Sequence, residues 1–197
     1  ALTAHLRLMA AYVWSTSAQR VVFVCNAGIN TRSSTLDMAL DDWQRVMDVN
    51  LNGTLHFCRA VLPGMIAQGG GKIVNVSSTT AKTPHKNAAP AYGASKAAVN
   101  YLTQHLAREM APHGIFVNAV CPGFIGTRWF SDRFGQQTFE GIKRQQEEST
   151  PLARAGTPED IATAVVFFCG EGSDHITGET LITDAGMHLG FAPLTAR

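Results

Sequence analysis

The sequence Gly71-Lys72-Ile73-Val74-Asn75-Val76-Ser77-Ser78 places a short β-branched run directly before two serines. Residues 73–76 are nearly continuously apolar, which is typical of a strand buried on both faces of a parallel sheet. Three further runs have the same character, at Val21–Cys25, residues 115–120 and residues 181–183. The sequence therefore predicts four buried strands that lie parallel to one another.

Longer helical patterns separate these runs. Residues 41–62 carry apolar side chains at spacings of one to four, and residues 91–110 are rich in alanine. Pro158–Cys169 begins after Thr157, which is a good helix cap, and has Glu159 and Asp160 in its first turn. Strands that alternate with helices predict an α/β fold with a doubly wound, Rossmann-like parallel sheet sandwiched by helices.

Small or polar residues follow three of the strands. They are Asn26-Ala27-Gly28, Ser77-Ser78 and Pro122-Gly123. Ligands of open α/β sheets bind beyond the carboxyl ends of the strands, so these three turns are candidate ligand contacts. Any one of them alone is better explained as an ordinary turn, since turns are rich in Gly, Pro, Asn and Ser, but all three agree with one ligand-side edge.

Tyr92 and Lys96 are four residues apart in a predicted helix and therefore share one face. The pKa of a free phenol is about 10, and a nearby ammonium lowers it by roughly 1–3 units. Such a tyrosine exchanges a proton with an alcohol or a carbonyl oxygen, and Ser78 can hydrogen-bond the same oxygen. The small residues around the pair, Gly93 and Ala94 among them, leave room for another molecule.

Several stretches, in order, resemble motifs of the short-chain dehydrogenase/reductase family. The first is similar to NNAG with Cys25 in place of an asparagine, and a later one matches YxxxK. The resemblance covers residues 20–187 and is closest to 3-oxoacyl-acyl-carrier-protein reductases. The stretches are Val24-Cys25-Asn26-Ala27-Gly28, Asp48-Val49-Asn50-Leu51-Asn52-Gly53, residues 71–78, Tyr92-Gly93-Ala94-Ser95-Lys96, residues 117–123 with Thr127, residues 156–162, and residues 176–178 with Asp184-Ala185-Gly186.

The resemblance implies a catalytic tetrad. Tyr92 is the acid/base, Lys96 lowers its pKa and binds the nicotinamide ribose, Ser78 positions the substrate oxygen, and Asn50 holds a water that links Lys96 to solvent. Ser78 is preferred to Ser77 because the second serine of the pair suits the motif, although it lies 14 positions before Tyr92, one more than expected. The residues that the resemblance implies for binding NAD or NADP are Asn26, Ala27, Gly28, Tyr92, Lys96, Pro122, Gly123, Ile125 and Thr127.

The implied reaction is hydride transfer between the nicotinamide and a ketone or secondary alcohol, including reduction of a 3-oxoacyl thioester. The alternative is a non-catalytic chain, because no TGxxxGxG turn occurs anywhere in the 197 residues. By resemblance, about 60 residues and the first three strands of the doubly wound sheet would precede this chain. The free edge of the sheet would then favour aggregation.

We expect residues 1–197 to form a single partial Rossmann-like domain. Residues 1–20 are predicted to contain the remnant of an amphipathic helix. Residues 123–156 are predicted to form a substrate lid, in which Trp129, Phe130 and Phe134 line an apolar pocket or pack within the lid itself.

Composition excludes several other functions. The net charge is +1 with no basic cluster, so neither nucleic acid nor a membrane surface is an expected partner. No HxxxH or HxH pair occurs among the seven histidines, so no metal site is expected. Four separated cysteines predict reduced thiols and a cytoplasmic location. The partners we expect are a small carbonyl or alcohol substrate and further copies of the chain, in a homotetramer.

Overall fold

The computed structural model describes the backbone of residues 11–15 and all atoms of residues 21–31, 33–84, 88–127, 131–132 and 135–190. Its sheet has five strands in the order β1-β2-β3-β4-β5, of which β2 to β5 are parallel and β1 is antiparallel to β2. The four predicted parallel strands are confirmed, with small changes at their ends. The strands are β1 Ala11–Ser15, β2 Val21–Cys25, β3 Gly71–Val76, β4 Ile115–Pro122 and β5 Thr180–Thr183.

The predicted helices are also present. The α-helices of the described residues are α1 Leu40–Met47, α2 Gly53–Ala67, α3 Pro90–Met110, α4 Gln136–Ser149 and α5 Pro158–Cys169, of which α4 lies in the predicted lid and was not itself predicted as a helix. Helix α5 begins as predicted: the Thr157 hydroxyl accepts a hydrogen bond from the Asp160 N–H, and the Asp160 carboxylate accepts one from the Thr157 N–H. No described helix is long and apolar enough to cross a bilayer.

A π-helical turn, Asp48–Asn52, interrupts the helix that the sequence predicts over residues 41–62. A π turn adds a residue to the helical repeat and therefore changes the direction of the side chains at that point. Here it lies between α1 and α2 and contains the fully buried Asn50. The local widening of the helix thus accommodates a polar side chain among packed elements.

Alternate residues of the strands pack on helices on opposite faces of the sheet. On one face Ile73 and Val117 join Leu62 of α2 and Leu106 of α3 in one core cluster. On the other face Val74 and Val120 pack with Phe168 of α5. Burial of both faces explains why the strands are almost continuously apolar. The three layers confirm the predicted doubly wound α/β architecture.

The prediction of a remnant helix is wrong for Ala11–Ser15. This segment is a strand that pairs antiparallel with β2, with Ala11 opposite Cys25 and Ser15 opposite Val21. The remainder of residues 1–20 lies outside the described residues. The free edge of β2 offers unpaired N–H and C=O groups, and pairing with them outweighs the weak helical preference of so short a segment. The edge of β2 is therefore covered, contrary to the expectation of an exposed edge there.

Candidate active site

The parallel strands bring the three predicted ligand-side turns to one edge of the sheet. In the register of β2, β3 and β4, Cys25 lies opposite Asn75, and Val76 lies opposite Val120. The Ser77 N–H donates to the Val120 carbonyl over 2.8 Å, which carries the pairing one residue past β3. Residues 26–28, 77–78 and 123 consequently follow neighbouring strand ends, and Pro122 is the last residue of β4.

Helix α3 carries Tyr92 and Lys96 beside this edge. Pro90 stands in its first turn, where a missing N–H costs no hydrogen bond, so Tyr92 lies close to the start of the helix. The Lys96 Nζ lies 5.9 Å from the centre of the Tyr92 ring. The sequence spacing thus places both groups on the same side of the helix, as predicted.

The ammonium of Lys96 is buried and donates to the Val76 carbonyl over 2.8 Å. Burial lowers the pKa of Lys96 from 10.5 to about 8, and the neighbouring Cys25 and Cys121 act in the opposite direction. Lys96 is therefore predominantly cationic at neutral pH, although it is close to its titration range. The last residue of β3 fixes the position of this charge at the end of the strand.

Burial raises the pKa of Tyr92 above its ordinary value of 10, while hydrogen bonding with Ser78 acts in the lowering direction. Burial thus outweighs the lowering effect that the sequence predicts for Lys96. Hydrogen bonding with Ser78 favours the phenolate.

The two serines after β3 have different partners. The Ser77 hydroxyl donates to the Lys96 carbonyl over 3.1 Å and so ties the strand end to α3. Ser78 is the residue that hydrogen-bonds with Tyr92. The structure thus places Ser78, rather than Ser77, beside the phenol.

Asn50 links three separate elements through its side chain. Its Oδ1 accepts from the Ile29 N–H over 2.8 Å, and its Nδ2 donates to the Ile29 carbonyl over 3.0 Å and to the Ser95 Oγ over 2.9 Å. The Ser95 hydroxyl in turn donates to the Tyr92 carbonyl over 2.8 Å. Asn50 therefore fixes the segment after Gly28 and connects it with the helix of Tyr92 and Lys96. Sequence reasoning identified Asn50 but missed Ser95, although Ser95 lies inside the quoted Tyr92–Lys96 stretch.

The turn after β2 passes very close to Lys96. A Cβ atom placed on Gly28 would lie 3.2 Å from the Lys96 Nζ and 3.5 Å from the Asn50 Oδ1. Gly28 and Asn26 are exposed and Ala27 is half-buried. A glycine at this position lets the backbone approach Lys96 while one side of the turn stays open to a ligand.

The turn after β4 packs closely against the end of β5. A Cβ on Gly123 would lie 2.6 Å from the Asp184 Cβ, so only glycine allows this close approach to the end of β5. Ile125 forms a parallel bridge with Gly156, and the Gly126 N–H donates to the Gly156 carbonyl over 2.9 Å. Pro122 to Thr127 are all half-buried, so this turn presents an ordered but accessible surface.

The predicted lid is only partly described. Residues 123–127 form the turn above, and α4 occupies much of the remainder before the chain reaches Gly156. Trp129, Phe130 and Phe134, which were expected to line a pocket or pack within the lid, lie outside the described residues.

The four cysteines are free. Cys25, Cys58 and Cys121 are buried and Cys169 is half-buried. The pKa of the Cys25 thiol is raised by hydrogen bonding with Cys58 and by burial, which keeps it protonated. Within the described ranges, no group of three or more His, Cys, Asp or Glu side chains is arranged to hold a metal ion.

Comparison with known proteins gives this geometry a context. The family model described as enoyl-(acyl carrier protein) reductase matches residues 4–188. A 3-oxoacyl-[acyl-carrier-protein] reductase from Aquifex aeolicus is 40% identical over 166 residues, which are 84% of this chain and 64% of that protein. The chain thus spans 64% of the length of this curated relative.

Two solved structures extend the comparison. A 3-oxoacyl-[acyl-carrier protein] reductase from Brucella melitensis with bound NAD is 37% identical with a TM-score of 0.73, and the match covers 84% of this chain and 61% of that one. A gluconate 5-dehydrogenase from Burkholderia cenocepacia, in complex with NADP and tartrate, is 31% identical with a TM-score of 0.77, with 86% and 65% covered. On the match over most of its length, the chain belongs to the short-chain dehydrogenase/reductase family.

Proposed function

We propose that the protein is an NAD(P)-dependent oxidoreductase that interconverts a ketone and a secondary alcohol. The observation that carries this proposal is the convergence of Tyr92, Ser78 and Lys96 at the carboxyl edge of a parallel sheet. A buried phenol beside a serine hydroxyl and a buried ammonium forms a proton-transfer site without any metal ligand. Such a site suits proton transfer to or from a carbonyl or alcohol oxygen.

In the proposed reaction Tyr92 gives its proton to the oxygen of the ketone, or accepts one from the alcohol. Ser78 donates a hydrogen bond to the same oxygen and orients it toward the phenol. Lys96 supplies a fixed positive charge that stabilises negative charge developing nearby, since electrostatic interactions are strong in a buried site. Asn50 holds the turn after β2 in place and is the residue to which we assign the water that connects Lys96 with solvent.

The residues present suit the nicotinamide half of a dinucleotide. The open turn of Asn26, Ala27 and Gly28 lies against Lys96, and the turn from Pro122 through Gly123 and Ile125 to Thr127 follows the strand that pairs with β3. These turns, together with Tyr92 and Lys96, would hold the nicotinamide and its ribose. When bound, the nicotinamide supplies or accepts the hydride. Relatives have been solved with NAD and with NADP, which supports either dinucleotide as the ligand of this site.

For the substrate we propose a 3-oxoacyl thioester. The support is the similarity to 3-oxoacyl-[acyl-carrier-protein] reductases at 37–40% identity. We assign residues 123–156 as the substrate lid and residues 1–197 as a single, partial Rossmann-like domain. We also propose a cytoplasmic location, in keeping with the free thiols.

The experiment is a pair of substitutions in α3. Tyr92→Phe removes the acid/base, whereas Tyr101→Phe alters a tyrosine of the same helix that is 71% exposed. At millimolar NADH or NADPH, we expect Tyr92→Phe to reduce turnover of a 3-oxoacyl thioester at least about tenfold, since positioned acid/base groups contribute ~10²–10⁴-fold. Tyr101→Phe should leave turnover at the parent level. Equal activity of both variants would refute the assignment of Tyr92.

A second candidate is a non-catalytic chain that needs a partner or further residues to act. The observation in its favour is β1, which pairs antiparallel with β2 at the edge where the family resemblance places further parallel strands. Fluorescence titration with NADPH and NADH separates the two candidates. Turnover at millimolar nucleotide, even where binding is weak, favours the enzyme, and the absence of both turnover and binding favours the non-catalytic chain.

A further inference from the structure

Thr80 makes two hydrogen bonds to the oxygen of Ser78. The Thr80 N–H donates to the Ser78 Oγ over 3.2 Å, and the Thr80 hydroxyl donates to the same atom over 2.9 Å. Ser78 is the N-cap of the short 3₁₀ turn Thr79–Ala81 and is only 7% exposed. The position of the Ser78 side chain is therefore set by a residue two places along the chain.

These two bonds restrict where the Ser78 proton can point. A hydroxyl oxygen has two lone pairs and one hydrogen. The Thr80 N–H and the Thr80 hydroxyl take two of these three positions, which leaves one hydrogen-bonding position on the Ser78 oxygen for another group. The Tyr92 phenol is the group with which Ser78 also hydrogen-bonds.

An independent contact holds Thr80 against the helix of the site. A Cβ placed on Gly93, next to Tyr92, would lie 3.3 Å from the Thr80 carbonyl oxygen. This distance is shorter than ordinary van der Waals contact, so any side chain at position 93 would press on the turn. The backbone of Thr80 is thereby fixed relative to α3 and to Tyr92.

We propose that Thr80 is a positioning residue that directs the Ser78 hydroxyl at the Tyr92 phenol and at the substrate oxygen beside it. The proposal deepens the proposed function and rests on it for the role of the substrate oxygen. The contact between Ser78 and Tyr92 is a property of the folded chain alone. It can therefore be tested without nucleotide or substrate.

The test is carbon NMR of the chain labelled at the tyrosine Cζ, whose resonance responds to hydrogen bonding and ionisation of the phenol. Tyr92→Phe assigns the Tyr92 resonance among the three tyrosines. Thr80→Val removes the hydroxyl at nearly constant shape, Thr80→Ser retains it, and Thr79→Val makes the same change at the neighbouring buried threonine. We expect the Tyr92 resonance to move in Thr80→Val and to stay in place in the other two variants.

Alkaline titration of the same samples gives the second readout. In Thr80→Val the hydrogen bond between Ser78 and the Tyr92 phenol should be weaker, which should raise the ionisation midpoint of Tyr92 by about half a pH unit. If Thr80→Val does not fold, Gly93→Ala provides the perturbation, because it displaces Thr80 through its backbone and should move the same resonance. A Tyr92 resonance unchanged in the folded variant, or moved equally by Thr79→Val, would overturn the proposal.

Turnover measurements separate this proposal from the proposed function. If Thr80→Val moves the Tyr92 resonance but neither parent nor variant turns over a ketone, then the positioning role stands and the proposed reaction fails. If the parent is active, we expect the pH at which alcohol oxidation is half-maximal to rise in Thr80→Val and to return in Thr80→Ser. A purely structural role of Thr80 would lower activity without moving this pH.

Discussion

At the scale of single residues, Ala185 is held in a conformation that favours glycine. Its φ is +57°, in the left-handed region, and its carbonyl accepts a hydrogen bond from the Leu152 N–H over 3.2 Å. The motif that Asp184-Ala185-Gly186 resembles has glycine in place of Ala185, and this difference in sequence has a physical consequence. The left-handed conformation costs a residue with a Cβ roughly 1–2 kcal/mol.

We therefore predict that Ala185→Gly raises the free energy of unfolding by about 0.5–1 kcal/mol, the relief of strain being partly offset by the greater entropy of glycine in the unfolded chain. Urea denaturation measures this change. Ala162→Gly is the control, since it lies exposed in the middle of α5 and should lose about 1 kcal/mol. Destabilisation in both variants would contradict the strain at Ala185.

Lys96 couples folding to pH. Its pKa is about 8 in the folded chain because burial penalises the ammonium, against an ordinary 10.5. Between these values the unfolded chain holds a proton that the folded chain has released. The contribution of Lys96 to the free energy of unfolding is therefore lowest below pH 8 and rises as the pH increases toward 10.5.

The expected consequence is measurable with Lys96→Met. Relative to this variant, the parent should gain about 2.5 kcal/mol in the free energy of unfolding as the pH rises across that window. Urea denaturation at both ends of the window gives the difference. Lys143→Met, at a side chain that is 43% exposed, is the control for the loss of a lysine that is not buried. A parent that gains nothing over Lys96→Met would show that Lys96 does not release its proton there.

At the scale of elements, the strands and helices whose apolar residues follow a clear pattern could be predicted from the sequence. Both faces of each central strand are covered, so the β-branched runs specify β2 to β5 without ambiguity. Helix α5 was predicted to the residue, because Thr157 and Asp160 form a local capping box. These elements are determined by residues within or next to them.

The π turn at Asp48–Asn52 and strand β1 could not be predicted in this way. The π turn accommodates Asn50, whose partners Ile29 and Ser95 are distant in sequence, so no local pattern indicates it. Strand β1 exists through its pairing with β2, a tertiary interaction that overrides local preference. In the candidate site, the residues could be identified from sequence motifs. The hydrogen bonds of Lys96 to the Val76 carbonyl and of Thr80 to Ser78 could not, because they depend on the backbone geometry.

At the scale of the whole molecule, α5 and β5 leave an apolar surface uncovered. Val166 is 59% and Phe167 45% exposed on α5, and β5 is the last strand of the described sheet. Exposed aromatic and aliphatic side chains in contiguous elements mark interaction surfaces. We therefore predict a homo-oligomer, a tetramer as the sequence resemblance implies, in which this surface is a subunit contact.

Sedimentation velocity tests the oligomer. Phe167→Glu should shift the chain toward a smaller species, because a charge would be buried in the contact. Leu36→Glu, at a 96% exposed position, provides the control and should leave the sedimentation coefficient of the parent unchanged. A parent that sediments as a monomer would refute the prediction.

The final prediction concerns nucleotide affinity of these 197 residues. The site contributes nicotinamide and ribose contacts through the turns after β2 and β4 and through Tyr92 and Lys96. The glycine-rich turn that would present N–H groups to a pyrophosphate does not occur in the sequence. The described edge of the sheet beyond β2 is occupied by the antiparallel β1 instead. We therefore expect the adenosine and phosphate half of the ligand to find few hydrogen-bond donors among the described residues.

We expect this chain to bind NADH or NADPH weakly or not at all. Charge-assisted hydrogen bonds to phosphate contribute roughly 1.5–3 kcal/mol each, so losing two or three weakens binding by something like 10³-fold or more. Isothermal titration calorimetry measures the affinity, with the Brucella melitensis reductase that binds NAD as the positive control. A low-micromolar dissociation constant would mean that other residues bind the pyrophosphate. The turns Asn26–Gly28 and Pro122–Thr127 are expected to contact only the nicotinamide half. Compared with the Brucella melitensis reductase, this chain should therefore lose far less affinity for nicotinamide mononucleotide than for the dinucleotide.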